Sequence, residues 1–269
     1  MAWAEGLEVR ELTPGDQTDV LLFMGCAAAF DERNKKVARS FVKVLQKAGV
    51  DFGILGFDEM CCGETARRMG HEYIFQEFAK ANIEAFGEIK FNRIVTACPH
   101  CFNTLKNEYP QMGGDFAVLH YTEILATSNL ALTPRNYCSA TSDPKANGGA
   151  GARITFHDSC YLGRYNQIYA QPRQLLAQSK VKIIEMARRG ENSFCCGGGG
   201  GQMWMETDPD KRINHRRLAD ALNAKADVVV TACPYCLLMF DDAIRSKGMG
   251  DKIQVLDIAE IVEKQLSIG

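Results

Sequence analysis

The stretch RIVTACPHC, residues 93–101, returns as VVVTACPYC at residues 228–236, and the fold is read outward from this pair. In each copy a short apolar, β-branched run reads as a buried strand, and the proline behind the first cysteine suits the opening turn of a helix, where its missing N–H costs nothing. Each copy therefore reads as strand, cysteine, helix, with Cys98 and Cys101, or Cys233 and Cys236, flanking the helix start.

The remaining cysteines extend the repeat. Cys26, Cys61, Cys62, Cys98 and Cys101 are followed by Cys160, Cys195, Cys196, Cys233 and Cys236, at offsets of 134 for the first three and 135 for the last two. Cys-Cys-Gly at 61–63 also returns at 195–197. So tight a register implies a duplication. Between the copies, residues 128–152 are rich in Ser, Thr, Asn, Pro and Gly without helical or strand periodicity. This segment reads as a connector between an N-terminal domain (1–127) and a C-terminal one (153–269), with Cys138 in it as an unliganded thiol.

Periodicity predicts strands at 19–25, 52–56 and 93–97, a helix over 34–48 through Val37, Phe41, Val44 and Leu45, and a helix over 64–86 with Ile74, Phe78 and Ile83 on its apolar face. The second half repeats the order, with strands at 153–157, 181–185 and 227–232 and helices near 171–178, within 208–223 and after Pro234. The expected fold class is α/β: two duplicated Rossmann-like βα domains with parallel sheets, related by a pseudo-two-fold. Every cysteine group is expected at or just beyond the C-terminal end of a strand, the edge where open α/β sheets bind ligands.

Composition narrows the chemistry. Of 269 residues 46% are apolar, and 31 Lys and Arg against 33 Asp and Glu leave a net charge of −2. Such a balance argues against nucleic acid and against a strongly basic membrane-binding face. No apolar run of bilayer-spanning length occurs, and residues 1–17 lack a signal peptide's blocks, so a cytoplasmic location, peripheral to a membrane complex, is expected. In a reducing compartment eleven cysteines point to metal rather than to disulfides.

Thiolates gathered at strand ends make a soft, sulfur-only pocket suited to Fe–S clusters, Zn²⁺ or Cu(I). Five cysteines exceed the four that a tetrahedral zinc or a cubane cluster needs, so one sulfur must bridge, stand by or do redox chemistry. Gly63 and Gly197 would relax the vicinal pairs Cys61-Cys62 and Cys195-Cys196 so that both sulfurs reach one centre, and Gly198, within the run 197–201, would add freedom around a bulky group. That run is not a phosphate loop, since no Lys-Ser/Thr follows. Free N–H groups at the helix starts favour thiolate at Cys98, Cys101, Cys233 and Cys236.

The pattern Cys26, Cys61-Cys62-Gly63, Cys98-Pro-His-Cys101 and its second copy resembles the CCG-domain (cysteine-rich domain) family, typified by the B-type and D-type subunits of heterodisulfide reductase. The segments HDSCYLGRYN (157–166) and FCCGGGGGQMWME (194–206) look most like D-type-related iron–sulfur oxidoreductases that serve electron-transferring flavoproteins. The resemblance implies two non-cubane [4Fe–4S] clusters, each held by all five cysteines of a motif, with zinc as an alternative occupant of the N-terminal site. It implies a subunit of a redox complex that carries electrons from a flavoprotein or ferredoxin-like partner to a terminal acceptor such as a disulfide or quinone. A rival is a heterodisulfide reductase with catalysis at Cys195 and Cys196; another is a zinc-stabilised scaffold.

Plainer readings stand beside these. A zinc-only protein leaves the fifth cysteine idle, and thioredoxin-like chemistry at Cys98 and Cys101 needs neither the other cysteines nor a second copy. His100 corresponds to Tyr235 and is expected beside the site, not as a ligand; His157 reads as a packed strand-end histidine in preference to a proton donor. Met203 and Trp204 are expected to pack against the cluster. No ferredoxin-type cysteine run and no dinucleotide fingerprint occurs, so electrons must come from another polypeptide or segment. Residues 1–15 look like the linker that follows a ferredoxin domain in fused relatives, as in a fragment or a small subunit.

Overall fold

A computed structural model describes residues 2–133 and 152–266, and Cys138 lies outside them. The chain forms two compact units, one ending at Leu130 and the other beginning at Ala131.

The first unit is a four-stranded parallel sheet in the order β2-β1-β3-β4, built from β1 (Gln17–Phe23), β2 (Phe52–Gly53), β3 (Lys90–Thr96) and β4 (Val118–His120). Its helices are α1 (Gly25–Phe30), α2 (Glu32–Lys47), α3 (Glu64–Arg68), α4 (Glu72–Gly87), α5 (Pro99–Asn107) and α6 (Tyr121–Thr127). The second unit is a three-stranded parallel sheet, β5 (Ile154–Phe156), β6 (Val228–Thr231) and β7 (Gln254–Asp257), with α7 (Ala170–Gln178), α8 (Ile213–Asn223), α9 (Pro234–Ser246) and α10 (Ile258–Gln265). The expected α/β fold with parallel sheets is what the chain adopts.

Burial explains the strands. Val20, Leu21, Leu22 and Phe23 of β1, and Val228, Val229 and Val230 of β6, are all sealed from solvent, as strands covered on both faces must be. Helix α2 starts where Asp31 accepts the Asn34 N–H at 2.8 Å, and it buries Val37, Phe41, Val44 and Leu45, the stripe read from its periodicity.

Several expectations need correction. The helix expected over 64–86 is two, because Gly70 takes a left-handed φ of +87° and the chain restarts behind His71. The buried face of α4 is Phe75, Ala79, Asn82 and Phe86, not Ile74, Phe78 and Ile83; Ile74 is exposed. One polar residue at the core spacing, Asn82, disguised the true stripe. The strand expected at 52–56 pairs with β1 only over Phe52–Gly53, with a further parallel bridge from Ile54 to Glu11, and that at 181–185 is reduced to a parallel bridge between Ile154 and Ile183. There the chain turns away, pairing Glu185 with Arg173 of α7 at 2.8 Å and burying Met186.

Two strand-helix pairs were not foreseen: β4-α6 and β7-α10. Each opens on a capping box, His120 with Glu123 and Asp257 with Glu260, and the Asp-x-x-Glu of the latter was a readable signal. Of the segment expected as connector, Ser128 ends α6, while Thr133 donates its N–H to the Gln265 carbonyl at 2.8 Å.

The shifted face of α4 is testable by urea unfolding: Phe75→Ala is expected to cost about 3–5 kcal/mol, and Ile74→Ala no more than about 0.5 kcal/mol. Equal losses would mean that α4 does not pack on Phe75.

Candidate metal centre

In both units the cysteines gather from the same three places in the chain. Cys26 sits in the first turn of α1 and Cys98 is the residue before α5, so both follow strands of the sheet; Cys101 lies within α5. Cys160, Cys233 and Cys236 repeat this around β5, β6 and α9. The vicinal pairs depart from the strand-end expectation: Cys61-Cys62 lies past a 3₁₀ turn at Gly56–Asp58, and Cys195-Cys196 past one at Gly190–Asn192, each on a loop.

All ten are free thiols, and burial falls on them in the same order in both units. Cys62, Cys98 and Cys101 are buried while Cys26 and Cys61 keep an edge in solvent; Cys196, Cys233 and Cys236 are buried while Cys160 and Cys195 keep that edge. The thiols are linked in a series of hydrogen bonds, with Cys61 accepting from both Cys26 and Cys62, and Cys101 joining Cys62 with Cys98. Hydrogen bonds from Cys26 and Cys62 hold Cys61 down at about 3, and those from Cys160 and Cys196 hold Cys195 at about 2. The hydrogen bond to Cys61, then burial, pushes the Cys26 thiol up, and Cys160 is raised in the same way by Cys195. In each set one cysteine is thus drawn toward the thiolate by hydrogen bonds from its neighbours.

Glycines permit the close approach. Gly63 and Gly197 take φ of +81° and +89°, and their N–H groups point to the Cys61 and Cys195 sulfurs at 3.5 and 3.3 Å. A Cβ on Gly63 would lie 2.8 Å from the Phe75 ring, and one on Gly197 2.8 Å from the Ile213 Cβ. At Gly198 it would lie 3.0 Å from Met239 Cγ and 3.7 Å from Cys196 Sγ. Gly25, not singled out in the sequence, has φ +74° and would put a Cβ 3.1 Å from Cys101 Sγ.

The loops are clamped by residues the sequence reading missed. In the first unit the fully buried Asn82 accepts the Met60 N–H at 3.0 Å and donates to the carbonyls of Met60 and Cys61 and to the Tyr109 hydroxyl. Tyr109 passes the bond on to the Cys62 carbonyl at 3.3 Å. Glu59, which burial raises to about 7, accepts the Met24 and Gly25 N–H groups at 2.9 and 2.6 Å and so ties the loop to the β1-α1 turn. In the second unit Asp158 does the tying: it accepts from Gly190 N–H at 2.7 Å and from Arg173, while the Ser193 hydroxyl donates to its carbonyl at 3.0 Å. Burial works to raise the Asp158 carboxyl, yet the Arg173 hydrogen bonds and charge hold it below the usual range.

The histidines and aromatics divide. His100 is buried with Nδ1 3.2 Å from Glu64 Oε2, beside the site. His157 is buried within reach of the second set, its ligand nitrogen and the Cys196 and Cys236 sulfurs lying within 4.8 Å of one another. Trp204 is 68% exposed, so it does not pack as expected; Met203 lines a cavity beside Gly197. A cavity of about 470 Å³ opens at the first set, walled by Cys26, Cys61, Met24 and Glu59 and rimmed by Phe30 and Phe57, each 83% exposed.

The donor sets fit an iron–sulfur cluster by their chemistry: soft sulfurs only, unpaired as disulfides, three of five buried, and glycines in place of any side chain that would crowd them.

Comparison with known proteins agrees. A family model described as "Cysteine-rich domain" (CCG) matches twice, at residues 20–106 and 154–241. The chain is 40% identical to the EtfAB:quinone oxidoreductase of Syntrophomonas wolfei, over 98% of the chain and 37% of that protein. It is 41% identical to the "Probable iron-sulfur-binding oxidoreductase FadF" of Bacillus subtilis, over 98% and 36%. It is 32% identical to the D-type subunit of the dihydromethanophenazine:CoB--CoM heterodisulfide reductase of Methanosarcina barkeri, over 94% and 60%. The chain thus spans between about a third and three fifths of the length of these relatives.

Asn82→Leu, which keeps the branched shape but strands the Met60 N–H and the Tyr109 hydroxyl, is expected to lower stability by about 1–3 kcal/mol in denaturant unfolding. Unaltered stability, with alkylation of Cys61 and Cys62 as slow as before, would mean that Asn82 does not hold the loop.

Proposed function

The chain belongs to the cysteine-rich (CCG) domain family, and from that premise we propose that it is the iron–sulfur electron-transfer portion of an oxidoreductase, with a non-cubane [4Fe–4S] cluster at each five-cysteine set. The observation that carries the reading is the doubled arrangement itself: all-sulfur sets with three cysteines buried and two edged toward solvent. When bound, such a cluster supplies one-electron redox chemistry. Cys26, Cys61, Cys62, Cys98 and Cys101 would hold the first, and Cys160, Cys195, Cys196, Cys233 and Cys236 the second.

The protein's own groups do the rest. Buried sulfurs keep water from most of each site, while the Cys26-Cys61 and Cys160-Cys195 edges that reach solvent are where electrons pass to and from partners. At the first site the exposed Phe30 and Phe57 give that edge an apolar border of the kind partner subunits cover. The relatives named as an EtfAB:quinone oxidoreductase and a heterodisulfide reductase subunit support a flavoprotein-type donor and a quinone or disulfide as terminal acceptor. Among the described residues no helix is long and apolar enough to cross a membrane.

A second reading, heterodisulfide reduction at the second site through Cys195 and Cys196, is favoured by the solvent edge of Cys195. Reduced protein that cleaves small heterodisulfides supports it; electron exchange with a flavoprotein but no cleavage leaves the relay.

Protein prepared without oxygen is expected to be brown, with about eight irons per chain. Cys196→Ser is expected to remove about half of that iron and leave the first site's paramagnetic signal. Colourless protein holding zinc alone would overturn the proposal, and loss of both signals from Cys196→Ser would show that the sites are not independent.

A further inference from the structure

Resting on the cluster at the second site, we infer that His157 is a positioning residue that directs a hydrogen bond from Nε2–H onto that site's sulfurs, and that Arg217 enforces it by fixing the ring's tautomer.

His157 closes β5 and is completely buried. Its backbone N–H extends the ladder to the Val230 carbonyl at 2.8 Å, and its ring meets Phe240 edge-on with centroids 5.2 Å apart. The Nδ1 atom accepts from Arg217 Nε–H at 3.0 Å. A guanidinium only donates, so Nδ1 must carry a lone pair. An imidazole whose Nδ1 is bare carries its ring proton on Nε2. That buried Nε2–H has no partner among the described residues, and a ring nitrogen of His157 and the Cys196 and Cys236 sulfurs lie within 4.8 Å of one another. A buried donor left unmade is costly, and sulfur is the acceptor at hand. The same proton excludes Nε2 as a metal ligand, since its lone pair is spent.

Arg217 is itself held. It is fully buried on α8, and its Nη1 donates to the Asp220 carboxylate at 2.8 Å and to the Arg188 carbonyl at 2.9 Å. The duplication supplies a control. At the offset of 134 the counterpart of His157 is Phe23, and at the offset of 135 that of Arg217 is Asn82, which clamps the Cys61 loop instead. The first set therefore has no such donor at the corresponding strand end. A hydrogen bond to cluster sulfur stabilises the more reduced, more negative state, so the device raises the reduction potential of the second site alone.

The test is a redox titration of the whole chain followed by paramagnetic resonance, with iron counted in every sample. His157→Phe, which installs the residue of the first unit, is expected to keep its iron and to shift the second site's oxidised-to-reduced ratio at fixed potential about tenfold toward oxidised, about 59 mV for a one-electron couple. His157→Gln, which keeps an N–H near Nε2, should recover most of the shift. Arg217→Met, which frees the tautomer, should follow the Phe variant, and the first site's potential should not move. An unmoved second potential, or a Gln variant shifted as far as Phe, overturns the inference. Wild-type protein with ¹⁵N-histidine gives a check independent of variants: pulsed resonance should detect weak coupling to one nitrogen, and either no coupling or the strong coupling of a direct ligand overturns it. Wild-type protein without iron at the second site would instead defeat the cluster reading, a result the iron count separates from the others.

Discussion

Sulfur crowding is the constraint on which the rest of this structure depends. Two thiolates about 4 Å apart repel by about 4 kcal/mol at the effective dielectric of a protein, and a domain's whole net stability is only about 5–15 kcal/mol. Five ionised cysteines could not be kept together by the fold. The thiols must share protons, as the linked Cys26-Cys61-Cys62-Cys101 series does, or meet cations. That is why the family's chemistry and the fold's stability are one matter: filling the sites removes the repulsion that assembling them creates.

The strands can place only part of each set. Parallel strands end side by side, which delivers Cys26 beside Cys98 and Cys160 beside Cys233 through short turns. The vicinal pairs ride on loops and need separate anchoring. The units solve this differently. In the first, a neutral amide and a phenol grip the loop backbone, with Glu59 bridging to the β1-α1 turn. In the second, Asp158, Arg173 and Ser193 tie the loop with charge, and the position corresponding to Asn82 holds Arg217.

This divergence bears on function. Two sites of the same sulfur count in the same fold would have similar properties if nothing around them differed. Different polar groups around them, amide and phenol in one, imidazole and guanidinium in the other, are a means for one duplicated scaffold to hold two unlike centres.

The duplication, the parallel α/β fold, the buried β1 and β6, and both five-cysteine sets were determined by the sequence alone, because each rests on local spacing: apolar runs, proline at a helix start, a constant offset between cysteines. The true face of α4, the break at Gly70, the lost strand at 181–185, the exposure of Trp204 and the roles of Gly25, Asn82, Tyr109 and Arg217 were decided only by tertiary structure. A buried polar residue at a core position breaks an apolar pattern when read along the chain, and it makes sense only once the atoms it must satisfy, a loop carbonyl or a histidine nitrogen far away in sequence, have been folded against it.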